Sequence, residues 1–132
     1  MAIQYSVAAR TSQMAQLNTT IGVNAVIRVY SGAVPANVGA ADPAGLLVTF
    51  AGNAAQFGVA ASGVLTASAV ANANATAGGT ALSFRIFQSG GTVCVLQGTV
   101  GLSGADMIVT NTSIANGQTC TFTSLTVTAF GV

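Results

Sequence analysis

The chain has 132 residues, of which 52% are hydrophobic and only 4% are charged, and its formal net charge is +1. The charged residues are three Arg and two Asp, with no Lys, Glu or His, so the sequence lacks a basic patch for nucleic acid and the usual groups for acid–base catalysis. Soluble monomers carry about 25% charged residues, and small domains near zero net charge tend to associate, so the composition predicts an assembly component without direct nucleic-acid contact.

The length predicts one domain, residues 1–132, which is large enough to bury a hydrophobic core without disulfides or bound metals. No apolar stretch reaches the roughly 18 consecutive residues of a membrane span, so we expect no transmembrane helix and no membrane partner. The N-terminus lacks a basic segment followed by an apolar run, so we expect no secretory signal and synthesis in a cytoplasm. There Cys94 and Cys120 should stay reduced, with a disulfide between them as the alternative.

The first predicted element is a short helix at about residues 6–19. Ser6 can cap its start and Gly22 can end it. An apolar stripe recurs at helical spacing, formed by Val7, Met14, Leu17 and Ile21. We expect this stripe to pack on the domain's own sheet, because helices gain most of their stability that way, with docking on a partner as the alternative.

The chain after Gly22 alternates apolar and other residues with the period of two that is typical of β-strands. Strands are predicted at residues 25–30, 46–50, 56–60, 64–69, 82–87, 92–100, 107–110 and 124–129. About eight short strands indicate a mainly β fold, an antiparallel β-sandwich or jelly roll with the short N-terminal helix attached.

Three irregular segments are predicted among these strands. Apolar residues change parity along the last strand, which predicts a β-bulge near Thr123 and Ser124. Residues 32–45 contain both prolines and show no alternation, which predicts a long ordered loop. Residues 67–79 are almost all small, which predicts a segment that either packs closely against another backbone or stays mobile.

The residues needed for catalysis or metal binding are missing. Asp42 and Asp106 occupy turn contexts, where aspartate commonly bonds nearby backbone N–H groups, and neither has a base or an orienting partner. Two widely separated cysteines without histidine form no zinc pattern, and two carboxylates are too few for a strong calcium site. We therefore expect no enzyme activity, no catalytic residue, no metal and no cofactor.

The arginines are the most informative polar residues. Arg28 and Arg85 alternate with apolar residues in predicted strands, so each is expected to point from the sheet toward solvent or a partner. Tyr30 and Phe87 share their faces, and Arg10 in the helix completes the candidate interface. The alternatives are a locally paired arginine, with Asp42 or Asp106 as its counter-charge, and aromatic residues that cap the sandwich edge.

Nearly the whole chain resembles small virion proteins of tailed bacteriophages, of the head decoration or cement type. The similarity is carried by the opening MAIQYSVAARTSQMAQLNTTIG, by VIRVYSGAVPANVGAADPAGLLVTF, and by SFRIFQSGGTVCVLQGTVGLSGADMIVTNTSIANGQTCTFTSLTVT. Its distinctive parts are the I-R-V-Y-S-G strand end with the loop that follows, and the G-T-V-G-x-S-G-A-D block at residues 98–106.

The resemblance implies a β-sandwich or jelly-roll protein that forms a dimer or trimer on the outside of the phage head. Its partner would be the major capsid protein, its location the capsid surface of the virion, and its place of synthesis the host cytoplasm. The family offers no catalytic residues. The alternative is a phage tail or fibre component that binds host glycan, although the absence of Trp argues mildly against a sugar site.

Overall fold

A computed structural model describes residues 3–51, 57–67 and 72–130 of the chain. Helix α1 spans Val7–Ile21, and the Ser6 hydroxyl accepts a hydrogen bond from the Ala9 N–H at 3.1 Å as its N-cap. Gly22 ends the helix with φ 75° and donates to Asn18 O. The predicted helix is confirmed, and it continues two residues past Thr19 because Ile21 is still anchored in the core.

The apolar stripe of α1 packs within its own chain. Met14 and Ile21 are buried in the core and Leu17 packs against it. On another side of the helix, the Thr11 hydroxyl accepts a hydrogen bond from the Gly63 N–H at 2.9 Å. The intramolecular prediction is therefore confirmed for Met14, Leu17 and Ile21, whereas Val7 at the start of the stripe is 53% exposed.

Eleven strands occur in the described residues. They are β1 (Val26–Tyr30), β2 (Leu46–Phe50), β3 (Val64–Thr66), β4 (Ala73–Asn74), β5 (Gly79–Thr80), β6 (Ser83–Phe87), β7 (Cys94–Gly101), β8 (Met107–Val109), β9 (Ser113–Ile114), β10 (Thr119–Cys120) and β11 (Phe122–Thr128). Seven form one sheet in the order β2-β1-β6-β7-β8-β11-β3, while β10 pairs with β4 and β5 pairs with β9. The mainly β prediction is confirmed.

Two features of the strand prediction are wrong. The sheet is mixed rather than antiparallel, because β8 pairs with β7 in parallel through Val100–Met107 and Gly101–Ile108. The Asp106 carboxylate accepts hydrogen bonds from both the backbone N–H and the hydroxyl of Thr99 at 2.9 Å, which holds the start of β8 beside β7. The number of strands exceeds eight because β4, β5, β9 and β10 have two residues each, too few to show an alternating pattern.

The predictions at residues 56–60 and 64–69 are only partly testable, because residues 56, 68 and 69 lie outside the described ranges. Phe57 forms an isolated bridge with Ala67, and residues 58–60 form no strand. Strand β3 ends at Thr66. The segment from Phe57 therefore covers the outer edge of β3 without becoming a strand, and Gly58 N–H donates to Thr66 O at 3.0 Å.

The irregular segments follow the predictions closely. The register of β11 against β8 shifts between Phe122 and Ser124, which confirms the predicted bulge. Residues 32–45 contain no strand, which confirms the loop. In the small-residue segment, the part from residue 72 onward packs against the edge of β2, since Thr76 N–H donates to Leu47 O at 2.8 Å; residues 68–71 lie outside the description.

The apolar core joins the sheet to the helix and to the small strand pairs. It contains residues from α1, from every strand of the seven-stranded sheet and from β9 and β10. The ring of the buried Phe50 meets that of the partly buried Phe122 edge to face, with centroids 5.5 Å apart and planes at 90°. Strand β6 is buried along its whole length, which means that both faces of the sheet are covered there.

Candidate interaction site

The outer cover of β6 is the loop that connects β1 to β2. Its base is closed by hydrogen bonds from Ser31 N–H to Gly45 O (2.9 Å) and from Gly32 N–H to Ala44 O (3.0 Å). Gly45 has φ 75°, and a Cβ at this position would collide with the Ser31 side chain. The turn back into β2 therefore requires glycine.

The guanidinium of Arg85 lies between this loop and the sheet, and only 2% of the residue is exposed. Its Nε and Nη2 donate to Gln97 Oε1 at 3.1 and 2.9 Å. Nη1 donates to Ala40 O at 3.0 Å and to Asp42 Oδ1 at 2.8 Å, and Nη2 donates to Asn37 O at 3.1 Å. These bonds use the full set of five guanidinium N–H groups, so Arg85 has no donor left for a ligand or partner.

Gln97 is a member of this cluster that sequence reasoning missed. It lies directly opposite Arg85 in the ladder between β6 and β7, and its Nε2 donates to Pro35 O at 2.7 Å. One side chain thus binds both the arginine and the loop. The signal in the sequence was a single amide in the otherwise apolar stretch Cys94-Val95-Leu96-Gln97.

Asp42 is the counter-charge for two arginines. Arg28 and Arg85 are direct cross-strand partners, an arrangement that like charges destabilise. Asp42 Oδ1 lies 2.8 Å from Arg85 Nη1, and Asp42 Oδ2 lies 4.0 Å from Arg28 Nη1. Arg28 also donates to Gly91 O at 3.0 Å, and its guanidinium carbon lies 4.6 Å from the centre of the Phe87 ring. Both arginines therefore stabilise the loop cover.

The prediction that the side chain points to solvent or a partner is wrong for Arg85, which is buried. Tyr30 and Phe87, predicted to lie in an interface or to cap the sandwich edge, are buried too, and Arg28 keeps about a quarter of its side chain exposed. Period-two alternation placed Tyr30 on the face of Arg28 and Phe87 on the face of Arg85; the register shows that these are one face of the sheet, and the loop covers it. The alternative of an arginine paired with Asp42 is the one that the structure bears out.

Burial raises the pKa of Tyr30, and the charge of Asp42 acts in the same direction while Arg28 lowers it. The hydroxyl oxygen is buried without a hydrogen-bond partner among the described residues. The hydroxyl therefore lies close enough to Arg28 and Asp42 for both groups to act on its pKa. The ring of Tyr30 packs beneath the loop, where the residue is 2% exposed.

The remaining charged residues are also engaged within the chain. Arg10 lies apart from the other candidate interface residues and packs against Gly63, where an added Cβ would lie 2.9 Å from the Cβ of Arg10. Asp106 binds Thr99 at the start of β8. Four of the five charged side chains thus form hydrogen bonds or ion pairs inside the fold, whereas the buried Nε of Arg10 has no hydrogen-bond partner among the described residues.

The surface contrasts with this interior use of charge. The large hydrophobic residues exposed in the described ranges are Ile3, Tyr5, Val7, Val23, Val38, Leu46, Val59, Leu82, Val93, Leu102 and Phe130. Val38 and Val93 border an open groove of about 620 Å³ between the loop and the β6–β7 turn, with Phe87 and Cys94 in its wall. The exposed large hydrophobic residues are spread along the chain from Ile3 to Phe130.

A second groove separates β7 from β11 and is called the β7–β11 slot here. Its volume is about 540 Å³, and its walls are Leu96 and Gln97 of β7, Thr126–Thr128 of β11, Ala105 and Asp106 before β8, and the rings of Phe84 and Phe130 together with Leu125. Phe84 and Leu125 are buried at its floor, whereas Phe130 is 87% exposed at its rim.

Neither cysteine is bridged in the structure. Burial raises the pKa of Cys94 and of Cys120 above the usual range of a thiol. Both sulfurs therefore stay protonated at neutral pH, which is the state of a packing residue rather than a nucleophile.

In the described ranges, no three side chains of the His, Cys, Asp and Glu types lie together as a metal site would require. No helix there has the length and apolar composition needed to cross a bilayer. No protein-family model matches this chain, and neither does any curated protein or solved structure.

Proposed function

We propose that this chain is a virion structural protein of the capsid-decoration type, which binds the outside of a phage head and stabilises contacts between major capsid subunits. The observation that carries the proposal is the scarcity of charge, with four of the five charged side chains bonded within the chain, beside a surface that exposes large apolar side chains. Such a surface is costly to keep in water and suits a chain covered by neighbouring protein.

We propose that the seven-stranded sheet folds into the two layers of a sandwich, an architecture that suits this role. Strands β2-β1-β6-β7 would form one layer and β8-β11-β3 the other, joined by the short parallel pairing of β7 with β8. Sandwiches, including jelly rolls, present broad sheet faces and loop clusters that can contact several subunits at once.

The proposed mechanism is multivalent apolar contact. An oligomer that holds several capsid subunits turns a weak individual contact into a durable one, because the second and third contacts form at high effective concentration. Since the chain has only five charged residues and four of them already bond groups of the same chain, apolar area and backbone hydrogen bonds would supply most of the affinity. Binding should therefore depend little on ionic strength.

The test is binding of the purified protein to isolated phage heads that lack it, followed by sedimentation with the heads at increasing NaCl. We expect the bound fraction to stay constant up to about 1 M salt, where exposed charges are screened beyond about 3 Å. Release at moderate salt, or binding to isolated tails but not to heads, would contradict the proposal. Heads of an unrelated phage serve as the control for nonspecific adsorption.

A further inference from the structure

The turn between β9 and β10 contains the dipeptide of the chain that is most prone to a spontaneous backbone reaction. Asn116 is followed by Gly117, whereas every other asparagine of the chain is followed by Ala, Val or Thr. Because glycine has no Cβ, nothing obstructs the approach of its backbone nitrogen to the asparagine side chain, so an Asn-Gly pair cyclises more readily than the other asparagine pairs. Asn116 is exposed, so water reaches its side chain.

The reaction is deamidation through a cyclic imide. The Gly117 nitrogen gives its proton to hydroxide and attacks Cγ of Asn116, and a bond forms between these two atoms. The bond from Cγ to the side-chain nitrogen breaks, and that nitrogen takes a proton from water and leaves as ammonia, which restores the hydroxide. Water then opens the imide at either carbonyl. One opening gives aspartate, and the other gives isoaspartate, in which the backbone runs through the former side chain.

The fold holds this pair in a geometry that does not cyclise. Gln118 N–H donates to Ala115 O at 3.0 Å, Gly117 has φ 83°, and Asn116 has a negative φ, which together define a type II turn. In such a turn ψ of the residue before the glycine is about +120°, so the Gly117 nitrogen points away from the Asn116 side chain. Ring closure needs that nitrogen nearly eclipsed with Cβ of Asn116. The Gln118 Oε1 also holds the turn, because it accepts a hydrogen bond from Ala115 N–H at 2.9 Å.

The attacking nitrogen is also occupied by a hydrogen bond. Gly117 N–H donates to Ala75 O at 2.8 Å, and Ala75 N–H donates to Gln118 O at the same distance. Ala75 is 4% exposed, and the two bonds extend the pairing of β4 with β10. Removing the Gly117 proton would leave Ala75 O facing an anion, so the bonded amide is a weaker acid than a free one. The reaction therefore requires the turn to separate from Ala75.

We propose that Asn116 is a deamidation site that the fold keeps unreactive, and that it reacts only when the turn between β9 and β10 has opened from Ala75. The product is marked by charge, since one added carboxylate lowers the formal net charge of the chain from +1 to zero. Isoaspartate also adds a backbone methylene between positions 116 and 117, so the bond to Ala75 O and the bonds within the turn cannot all form again. The reaction thus makes the opening permanent. The inference goes beyond the proposed function and does not rest on it.

Peptide mass spectrometry of the purified chain, aged in mildly alkaline buffer, tests the proposal. In guanidinium chloride we expect Asn116 to deamidate faster than any other asparagine. In the folded protein its rate should be at least about tenfold lower, because the reaction then depends on the small population of open turns. Equal rates at Asn116 in the folded and the unfolded chain would overturn the proposal, and so would a different asparagine that reacts first in denaturant.

Two substitutions loosen the turn at contacts seen in the structure. Gln118→Ala removes the side-chain bond within the turn, and Thr119→Val removes the bond from Thr119 Oγ1 to Asn74 Oδ1 (2.9 Å) between β10 and β4. Each should speed the deamidation of Asn116 in the folded protein about two- to tenfold, which is the effect of losing one ordinary hydrogen bond. Ser113→Ala, at an exposed residue of β9 outside the turn, is the matched control and should leave the rate unchanged.

Hydrogen exchange at the Gly117 amide measures the opening of the turn. Across wild type and the variants, the deamidation rate of Asn116 should rise in proportion to the exchange rate of this amide. Urea denaturation of the same proteins separates opening of the turn from unfolding of the whole chain. Deamidation that stays at the wild-type rate in a variant whose Gly117 amide exchanges faster would overturn the proposal, as would an equal acceleration by Ser113→Ala.

Discussion

The two sides of β7 show opposite uses of polar groups. On the side toward β6, Gln97 and Arg85 form a closed network in which every guanidinium donor is bonded and a loop seals the surface. On the side toward β11, an open groove lies over an apolar floor of Phe84 and Leu125. The difference teaches that Arg85 and Asp42 serve to hold the chain's own loop, while Asp106 is the one charged residue that lines the groove on the other side.

The largest expected effect comes from the closed side. Arg85→Met keeps the length of the side chain but leaves Gln97 Oε1 and two loop carbonyls without their donor, so we expect a loss of about 3–5 kcal/mol in the free energy of unfolding. Urea denaturation measures this loss, and hydrogen exchange should show the loop at residues 32–45 opening first.

Arg28→Met is the matched control, because Arg28 is partly exposed and makes fewer bonds. It should cost about 1 kcal/mol. Equal losses of unfolding free energy for Arg85→Met and Arg28→Met would contradict the distinction between the buried Arg85 and the partly exposed Arg28.

A smaller effect is expected at the floor of the slot. Gly98 lies on β7 where a Cβ would approach both the Phe84 ring and the Asp106 carboxylate to 2.8 Å. Gly98→Ala should therefore cost about 1–3 kcal/mol through overpacking and should shift the Phe84 ring into the slot. Urea denaturation measures this loss.

Gly58→Ala is the control for this substitution, since its nearest atom to an added Cβ lies at 3.9 Å. It should leave stability nearly unchanged. Equal losses for Gly98→Ala and Gly58→Ala would contradict the close approach of Phe84 and Asp106 to position 98.

Local sequence signals predicted the parts of the fold that local chemistry decides. Ser6 and Gly22 mark the helix ends, and the short run of large apolar residues at 46–50, interrupted only by Thr49, gives β2 its observed bounds. The change of parity at Thr123 predicted the bulge. The burial of Arg85 could not be predicted in this way, because a period of two identifies a face but not what covers it.

The slot was beyond sequence reasoning for a related reason. Its walls come from β7, from the residues before β8 and from β11, which the sheet order brings together. The parallel pairing of β7 with β8 has no signature in either strand alone. Composition nevertheless predicted the kind of surface that would be found, because a chain with five charged residues has few to place outside.

The smallest expected effect is a change in the pH dependence of stability, caused by Tyr30 beneath the loop. Burial raises the pKa of Tyr30, so the folded state keeps the hydroxyl proton at a pH where the unfolded state has lost it. The stabilising contribution is complete below about pH 10, the unfolded pKa, and is lost as pH rises through the higher folded pKa. Burial also raises the pKa values of Cys94 and Cys120, so these thiols lower the stability at high pH equally in wild type and in Tyr30→Phe. The comparison of the two proteins therefore isolates the contribution of the tyrosine.

Tyr30→Phe should therefore lose less stability than wild type between pH 9 and about pH 11, as measured by urea denaturation at each pH. At neutral pH the variant should equal wild type or exceed it by up to about 1 kcal/mol, since the buried hydroxyl that it removes has no hydrogen-bond partner in the described residues. A destabilised Tyr30→Phe at pH 7 would show that Arg28 or Asp42 bonds this hydroxyl. The hydrogen-bond network of Arg85, Gln97 and Asp42 would then also include Tyr30.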